Sequence, residues 1–279
     1  MKTRINFKKS EGQHMLINTQ IIDKIISKAN IKHTDTLLEI GCGTGNITTK
    51  LLEKAKKVVA YELDKRLSKE LKDILKNNKT LKNKLDLREE DGLSADWPHF
   101  DKMISNIPFN ISLPILLKLV QYNFHSSFIL VQKEFADKLF AKPGDENFSR
   151  LTVNLKVMCK IEHILKVKKS SFIPPPKVDT CWVKIEPKTD KPNIDCVQFD
   201  NFLKVCFCRK NKTLAGNLQT PQFERFLKNT EFIKCSKKFI LDSLTQLKLE
   251  NIRPSKMTVN NFIEAYNFFK EKGIVFEYK

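Results

Sequence analysis

The first two thirds of the chain alternate short apolar runs with helix-spaced segments, and this restricts the fold more than any other feature. Thr36–Ile40 reads as a strand, a glycine-rich turn follows at 41–45, and a helix runs from about 48 to 56. Residues 57–62 read as a second strand, and 67–75 carry apolar residues at helical spacing (67, 71, 74, 75). A third strand at 85–88 ends near Asp91, and a fourth spans 102–106. Pro114 sits in the first turn of the next helix, where its missing N–H costs nothing, and 127–131 form a fifth strand. One more strand, 181–185, follows after a long gap. Strands separated by helices predict an α/β fold with a parallel, doubly wound sheet, because parallel neighbours need a crossover long enough to hold a helix.

The stretch 187–192, with prolines at both ends, has linker character. Beyond it the spacing turns helical, at 199–208, 222–227, 239–247 and 259–270. The expected organisation is a domain over 1–189 and a smaller, basic, helical one over 190–279. Fifty Lys and Arg against 32 Asp and Glu leave a net charge of +18, which points to a polyanion, with RNA or DNA first. Arg is scarce beside Lys, so compositional bias contributes. The seven cysteines (42, 159, 181, 196, 206, 208, 235) are odd in number, scattered and without a C-x-x-C. Reduced thiols in an intracellular protein, and no metal site, are expected. No apolar run approaches ~18 residues, so no membrane span is expected, and 1–14 lack the apolar region of a secretory signal.

Four successive predicted strands each end in a residue suited to ligand chemistry. Glu39-Ile40-Gly41-Cys42-Gly43-Thr44-Gly45 follows the first strand. Glycines there let backbone N–H groups approach a ligand. The spacing is G-x-G-x-G, with an acid two residues before the first Gly, and differs from the dinucleotide pattern G-x-G-x-x-G. It suits an adenosyl ligand with an amino-acid tail better than a pyrophosphate; a plain strand–helix turn is the alternative. Glu62 is placed to accept both hydroxyls of a ribose, with Asp64 as competitor. Asp91 is placed to accept from an adenine amino group, though Glu89 and Glu90 leave the register open by one. Asn106-Ile107-Pro108-Phe109 can hold an exocyclic amine on a planar base. The Asn oxygen and a backbone carbonyl beside the Pro would accept its hydrogens, and the aromatic would stack on the base. Ligands bind beyond the C-terminal ends of parallel strands, so the alternation gathers Gly41, Glu62, Asp91 and Asn106 at one edge.

With these motifs in view, the sequence resembles the rRNA adenine N6-dimethyltransferases, the S-adenosylmethionine-dependent KsgA and Erm superfamily, and most of all its eukaryotic and archaeal small-subunit members. Supporting runs are Gly12-Gln13-His14-Met15-Leu16, Phe140-Ala141-Lys142-Pro143-Gly144-Asp145, Phe172-Ile173-Pro174-Pro175-Pro176-Lys177-Val178 and Arg209-Lys210-Asn211-Lys212-Thr213-Leu214. The resemblance covers about 12–276. It implies a Rossmann-like methyltransferase sheet with a helical C-terminal domain, and S-adenosylmethionine as cofactor. His14 and Leu16 would line its methionine end, His14 through its main chain. Gly41 and Gly43 would meet its backbone, Glu62 its ribose and Asp91 its adenine, while Asn106 would close the site and begin the catalytic tetrad Asn106, Ile107, Pro108 and Phe109. Two positions depart from the family: Cys42 replaces the usual Pro or Ala, and Phe109 stands where many members have Tyr.

The reaction implied is N6,N6-dimethylation of two adjacent adenosines near the 3′ end of small-subunit rRNA. The implied partners are that RNA and the pre-ribosomal particle. Nucleus or nucleolus is the implied location, with cytoplasm or an organelle as alternatives. Alternative functions are an organellar paralogue and a non-catalytic nucleic-acid-binding factor on the same fold. Phe140 and Phe148 are candidates to sandwich a flipped base against Phe109, with core packing as the competing reading. Lys177, Arg209, Lys210 and Lys212 are candidate phosphate contacts.

Overall fold

The computed structural model describes residues 13–224 and 236–277. Its strands are β1 (Met15–Leu16), β2 (Thr36–Ile40), β3 (Lys57–Tyr61), β4 (Leu85–Arg88), β5 (Lys102–Ser105), β6 (Ser126–Gln132), β7 (Cys159–Val167), β8 (Phe172–Ile173) and β9 (Thr180–Pro187). Seven form one sheet in the order β4-β3-β2-β5-β6-β9-β7, and β1 pairs antiparallel with β8 in a separate ribbon. The first five strands of that order run parallel, as the alternation predicts. β9 adds antiparallel to β6. The central strands are apolar on both faces: Val58, Val59, Ala60 and Tyr61 of β3 are all at most 1% exposed. Such continuous runs are expected of parallel strands covered on both sides.

Local chemistry sets the helices between them. Asn18 caps Thr19–Lys28 by accepting from the Ile21 N–H, and Ile22, Ile25 and Ile26 form its buried stripe. Asp64 caps Lys65–Leu75 through the Arg66 N–H, and Leu67, Leu71 and Leu75 are buried. Strand β7 was not expected from the sequence, because Lys160, Glu162, His163 and Lys166 are exposed and interrupt its apolar residues at the sheet's edge.

The order reverses between β2 and β5. Their register runs Leu37↔Lys102 and Leu38↔Met103. At the C-terminal end the Ile40 N–H is met by the Ser105 hydroxyl at 2.9 Å in place of a strand carbonyl. A buried N–H cannot be left unpaired without cost, so this side chain lets the strands part. At the opposite end the Lys102 ammonium is anchored, 2.7 Å from Asp35 Oδ2 and 2.7 Å from the Asn30 carbonyl.

The chain divides into two compact units. The first takes residues up to Ala136 together with Lys160–Lys188, and the second takes Asp137–Cys159 and Thr189–Lys279. One crossing lies at 188/189, one residue from the expected division at 189/190, and 137–159 group with the C-terminal region and not with 1–189. The reason is packing: Ala141, Phe148, Val153 and Val157 share one apolar cluster with Phe199, Phe202, Tyr266 and Phe269. The expected C-terminal helices are Cys196–Cys206, Pro221–Glu224, Ser236–Gln246 and Val259–Glu271; positions 225–227 of the second expectation lie outside the described residues.

Gly45 is a sensitive point of the first unit. Its φ is +90°, and a Cβ there would lie 2.3 Å from Leu71 Cδ1. Gly45→Ala is therefore expected to destabilise the chain by roughly 1–3 kcal/mol through backbone strain at positive φ together with overpacking, read as a lower midpoint in urea unfolding at unchanged slope.

Candidate active site

The turn after β2 is folded against the end of β3. The N–H groups of Gly41 and Cys42 both donate to the Tyr61 carbonyl, at 2.8 and 3.2 Å. Glu62 then binds the same turn through its side chain: Oε2 accepts from the Gly43 N–H at 2.8 Å and Oε1 from the Asp64 N–H at 2.9 Å. Burial pushes the Glu62 carboxyl above the usual range, and these backbone donors oppose the rise. Asp64 is held well below the carboxylate range by the Arg66 guanidinium, against its burial. Gly41 has φ +73°, and a Cβ on it would lie 3.1 Å from Pro108 Cδ. The loops after β2 and β5 therefore touch across the reversal point, and any side chain at 41 would separate them.

On the β5 side, Asn106 Nδ2 donates to the His14 carbonyl at 2.8 Å. A carbonyl only accepts, so the amide nitrogen must face it and Oδ1 is turned the other way as an acceptor. Pro108, with φ −53°, leads into a 3-10 turn, Phe109–Ile111. Its carbonyl accepts from the Ile111 N–H at 3.1 Å. The Ile107 carbonyl makes no hydrogen bond among the described residues. Asn106 Oδ1 and the Ile107 carbonyl are thus neighbouring acceptors on one short turn.

His14 supports this turn in two further ways. Its Nδ1 lies 2.8 Å from the Pro174 carbonyl, so Nδ1 carries the proton. Its ring stacks on Phe109 with centroids 5.5 Å apart and planes 23° from parallel. That spacing leaves no room for a base between the two rings, and only the outer face of Phe109 can receive one. The β1–β8 pairing, Met15↔Ile173 and Leu16↔Phe172, brings Pro174 alongside His14.

These residues surround a cavity of about 710 Å³. His14, Leu16, Gly41, Gly43, Glu62, Asp91 and Asn106 through Phe109 all line it, so every predicted cofactor and catalytic position converges. Asp91 needs correction in one respect. It does not end a strand but lies three residues beyond β4, exposed, with Oδ1 accepting from the Leu93 N–H and Oδ2 from the Ser94 hydroxyl, each at 2.9 Å. Turn formation explains its carboxylate locally, although it still borders the cavity.

Three wall residues were not singled out as ligand contacts by sequence. Asn46 Nδ2 donates to the Leu16 carbonyl at 2.9 Å, and Met15 Sδ accepts from the Thr44 hydroxyl at 3.1 Å. Glu39, the acid before the glycines, is 1% exposed, and its Oε2 is buried without a partner among the described residues. Burial drives its carboxyl up to about 8; the nearby Thr48 hydroxyl opposes the rise and the Glu62 charge adds to it. Its position in the glycine motif was the available signal. Cys42 is buried too, and burial, with Glu39 and Glu62 nearby, keeps its thiol protonated well above the ordinary range. That makes it an inert filler.

The candidate RNA contacts fare unevenly. Phe148 is 4% exposed and packs on Phe207 with centroids 6.3 Å apart, so it is core and offers no free face to a base. Phe140 is half-buried, while Lys177, Lys210 and Lys212 are exposed. The Arg209 guanidinium donates to the Gly216 carbonyl and, at 3.3 Å, to Asn217 Oδ1, closing the turn before helix Leu214–Leu218. No group of His, Cys, Asp and Glu able to hold a metal occurs among the described residues, and none of their helices is long and apolar enough to cross a membrane.

The profile of a family described as "Ribosomal RNA adenine dimethylase" matches residues 4–249. The chain belongs to this family. It is 40% identical to a "Probable dimethyladenosine transferase" of Dictyostelium discoideum, over 96% of this chain and 90% of that one. It is 37% identical to a mitochondrial "Ribosomal RNA small subunit methyltransferase" of Arabidopsis thaliana, over 96% and 80%. A crystal structure of a dimethyladenosine transferase from Plasmodium falciparum superposes with a TM-score of 0.83 at 38% identity, covering 94% of this chain and all of that one. This dimethylase-family site therefore couples a glycine turn, two buried acids and an Asn-Ile-Pro-Phe turn in one cavity.

Glu39 makes a pH prediction. With a folded-state value near 8 against 4.5 for an unperturbed Glu, the folded chain holds a proton that the unfolded chain has lost between those values. Its contribution to stability is full below pH ~4.5 and lost as pH rises through ~8. Glu39→Gln mimics the protonated form. Its unfolding free energy minus that of the wild type should climb with pH across this window, by at most about 1.4 kcal/mol per unit. Parallel denaturation curves at pH 5 and pH 8 would refute it.

Proposed function

We propose that this chain transfers methyl groups from S-adenosylmethionine to N6 of two adjacent adenosines near the 3′ end of small-subunit rRNA, twice on each. The observation that carries the reading is the Asn106 amide, locked by the His14 carbonyl with Oδ1 turned away beside the unengaged Ile107 carbonyl. Family membership and the D. discoideum relative, named for dimethyladenosine transfer, support it.

The cavity fits the cofactor. The Gly41 turn lets backbone approach, Glu62 lies at the end of β3 where a ribose would be held, and buried Glu39 Oε2 still needs a donor. Gly41, Gly43, Glu62 and Asp91, with the main chain at His14 and Leu16, would hold it. Bound S-adenosylmethionine supplies a methyl carbon made electrophilic by its sulfonium. The chain's own work is on the amine. Asn106 Oδ1 and the Ile107 carbonyl each accept one N–H, drawing the nitrogen lone pair out of conjugation with the ring. Phe109 stacks on the base with its outer face, a contact worth ~1–3 kcal/mol, which helps offset the cost of unstacking the base from RNA. After one methylation the amine retains one N–H, so one of the two acceptors suffices for the second.

Small-subunit rRNA within a pre-ribosomal particle is the proposed partner, and nucleus or nucleolus the proposed location. An organellar paralogue is the second reading, favoured by the mitochondrial A. thaliana relative. Fluorescence imaging of the tagged chain separates the two.

Asn106→Ala is expected to lower methyl transfer to undermodified small subunits by on the order of 10²-fold or more, with adenosylmethionine binding partly kept. Near-wild-type turnover in a radiolabelled methyl assay would defeat the mechanism. His14→Ala leaves the backbone acceptor for Asn106 but removes the ring behind Phe109. We expect about tenfold slower transfer, ~1.4 kcal/mol, at little-changed cofactor affinity, with partial recovery in His14→Phe. Equal losses in both variants would show that stacking is not what His14 contributes.

A further inference from the structure

The connection between β4 and β5, residues 89–101, contains no helix or strand, yet it builds one wall of the first unit's cavity through Asp91, Gly92 and Leu93. Such a segment has no ladder to fix it, and its backbone groups must find other partners. The carbonyls of Gly92, Leu93, Ala95 and Asp96 accept from no backbone N–H among the described residues. Side chains take all four. Trp97 Nε1 donates to the Gly92 carbonyl at 2.7 Å, and the Tyr61 hydroxyl to that of Asp96 at 3.1 Å. Lys118 serves the other two: its ammonium donates to the Leu93 carbonyl at 2.7 Å and also to that of Ala95. The same ammonium sits over the Trp97 ring, 4.8 Å from its centroid.

These bonds reach Asp91 by short routes. Leu93 is held on both sides: Lys118 takes its carbonyl, and its N–H donates to Asp91 Oδ1 at 2.9 Å. Ser94, between the two carbonyls that Lys118 binds, donates its hydroxyl to Asp91 Oδ2 at 2.9 Å. Both carboxylate oxygens are thereby aimed, and each keeps a lone pair for a further donor. Gly92 presses the loop onto β2 and β3, since a Cβ on it would lie 3.0 Å from Ile40 Cδ1 and from Tyr61 Cβ. Lys118 stands in the last turn of helix Ser112–Leu119, which begins directly after the 3-10 turn at Phe109–Ile111. The Asp91 wall and the turn at Asn106–Phe109 are therefore tied to one helix. A charged donor shared by two carbonyls is a stronger tie than the neutral bonds beside it.

We propose, resting on the cofactor reading above, that Lys118 is a positioning residue for the cofactor's base. By holding the Leu93 and Ala95 carbonyls and the Trp97 ring, it keeps the Asp91 carboxylate where it accepts from a 6-amino group, and so gives the cavity its preference for adenine. Lys118 is not among the residues that line the cavity and acts only through the loop.

The test is Lys118→Met, which keeps a long unbranched side chain and removes the ammonium. Calorimetric titration compares S-adenosylhomocysteine with S-inosylhomocysteine, in which a 6-oxo group replaces the 6-amino donor. The wild type should bind the adenine compound more tightly. Lys118→Met should narrow the ratio of the two dissociation constants by about tenfold, the scale of one hydrogen bond to a charged group. Lys118→Arg, which retains a cation and donors, should restore part of the ratio. Lys84→Met is the control: Lys84 is also half-buried, donates to the Leu52 carbonyl at 3.2 Å and borders no part of the cavity. It loses a comparable bond and should keep the wild-type ratio. A ratio unchanged in Lys118→Met, or narrowed equally in Lys84→Met, would overturn the role of Lys118 and leave the cofactor reading intact. A wild type that binds both compounds equally, or neither, would overturn the adenine role of Asp91 and this proposal with it.

Discussion

The parting of β2 and β5 is the constraint on which the site depends. Strands are added outward from β2 on one side and from β5 on the other, so the loops leaving these two strands have no connection between them to fill the gap. The Ser105 hydroxyl makes the gap tolerable by pairing the Ile40 N–H. Beyond it, glycine at 41 lets the two loops meet at Pro108. The turn at Asn106–Phe109 and the glycine turn are thus one contiguous surface, and the reaction proposed needs both at once.

Two buried acids give this surface an electrostatic bias. Glu62 is satisfied by backbone N–H groups and so shapes the loop even without a ligand. Glu39 is not satisfied: one oxygen is sealed from water without a partner among the described residues, and its carboxyl stays protonated to about 8. A neutral carboxyl with an under-bonded oxygen favours a ligand that brings a hydrogen-bond donor. The ammonium of an amino-acid tail is one.

The second unit follows a different logic. Its core is rich in aromatic rings, with Phe199 and Tyr266 edge to face at 5.2 Å and Phe202 and Phe276 at 5.1 Å. Those rings are consumed by packing, as Phe148 illustrates, which leaves its surface chemistry to lysine and arginine. Aromatic residues near a basic cluster therefore do not by themselves mark a base-stacking platform; burial decides.

The sequence alone determined the parallel sheet, its five parallel strands within a residue or two, and the convergence of Gly41, Glu62, Asp91 and Asn106. These follow from local periodicity and from the rule that strand ends share an edge. Tertiary structure decided what depends on distant pairing. His14 is brought to Asn106 and Phe109 by a two-residue ribbon with Phe172–Ile173, too short for any periodicity to announce. Residues 137–159 join the C-terminal core because their apolar side chains cluster with those of Ile194 to Phe276, distant in sequence. The burial that raises Glu39 and hides Phe148 has the same origin: a residue's solvent exposure is fixed by what packs over it, and that is not written in its neighbours along the chain.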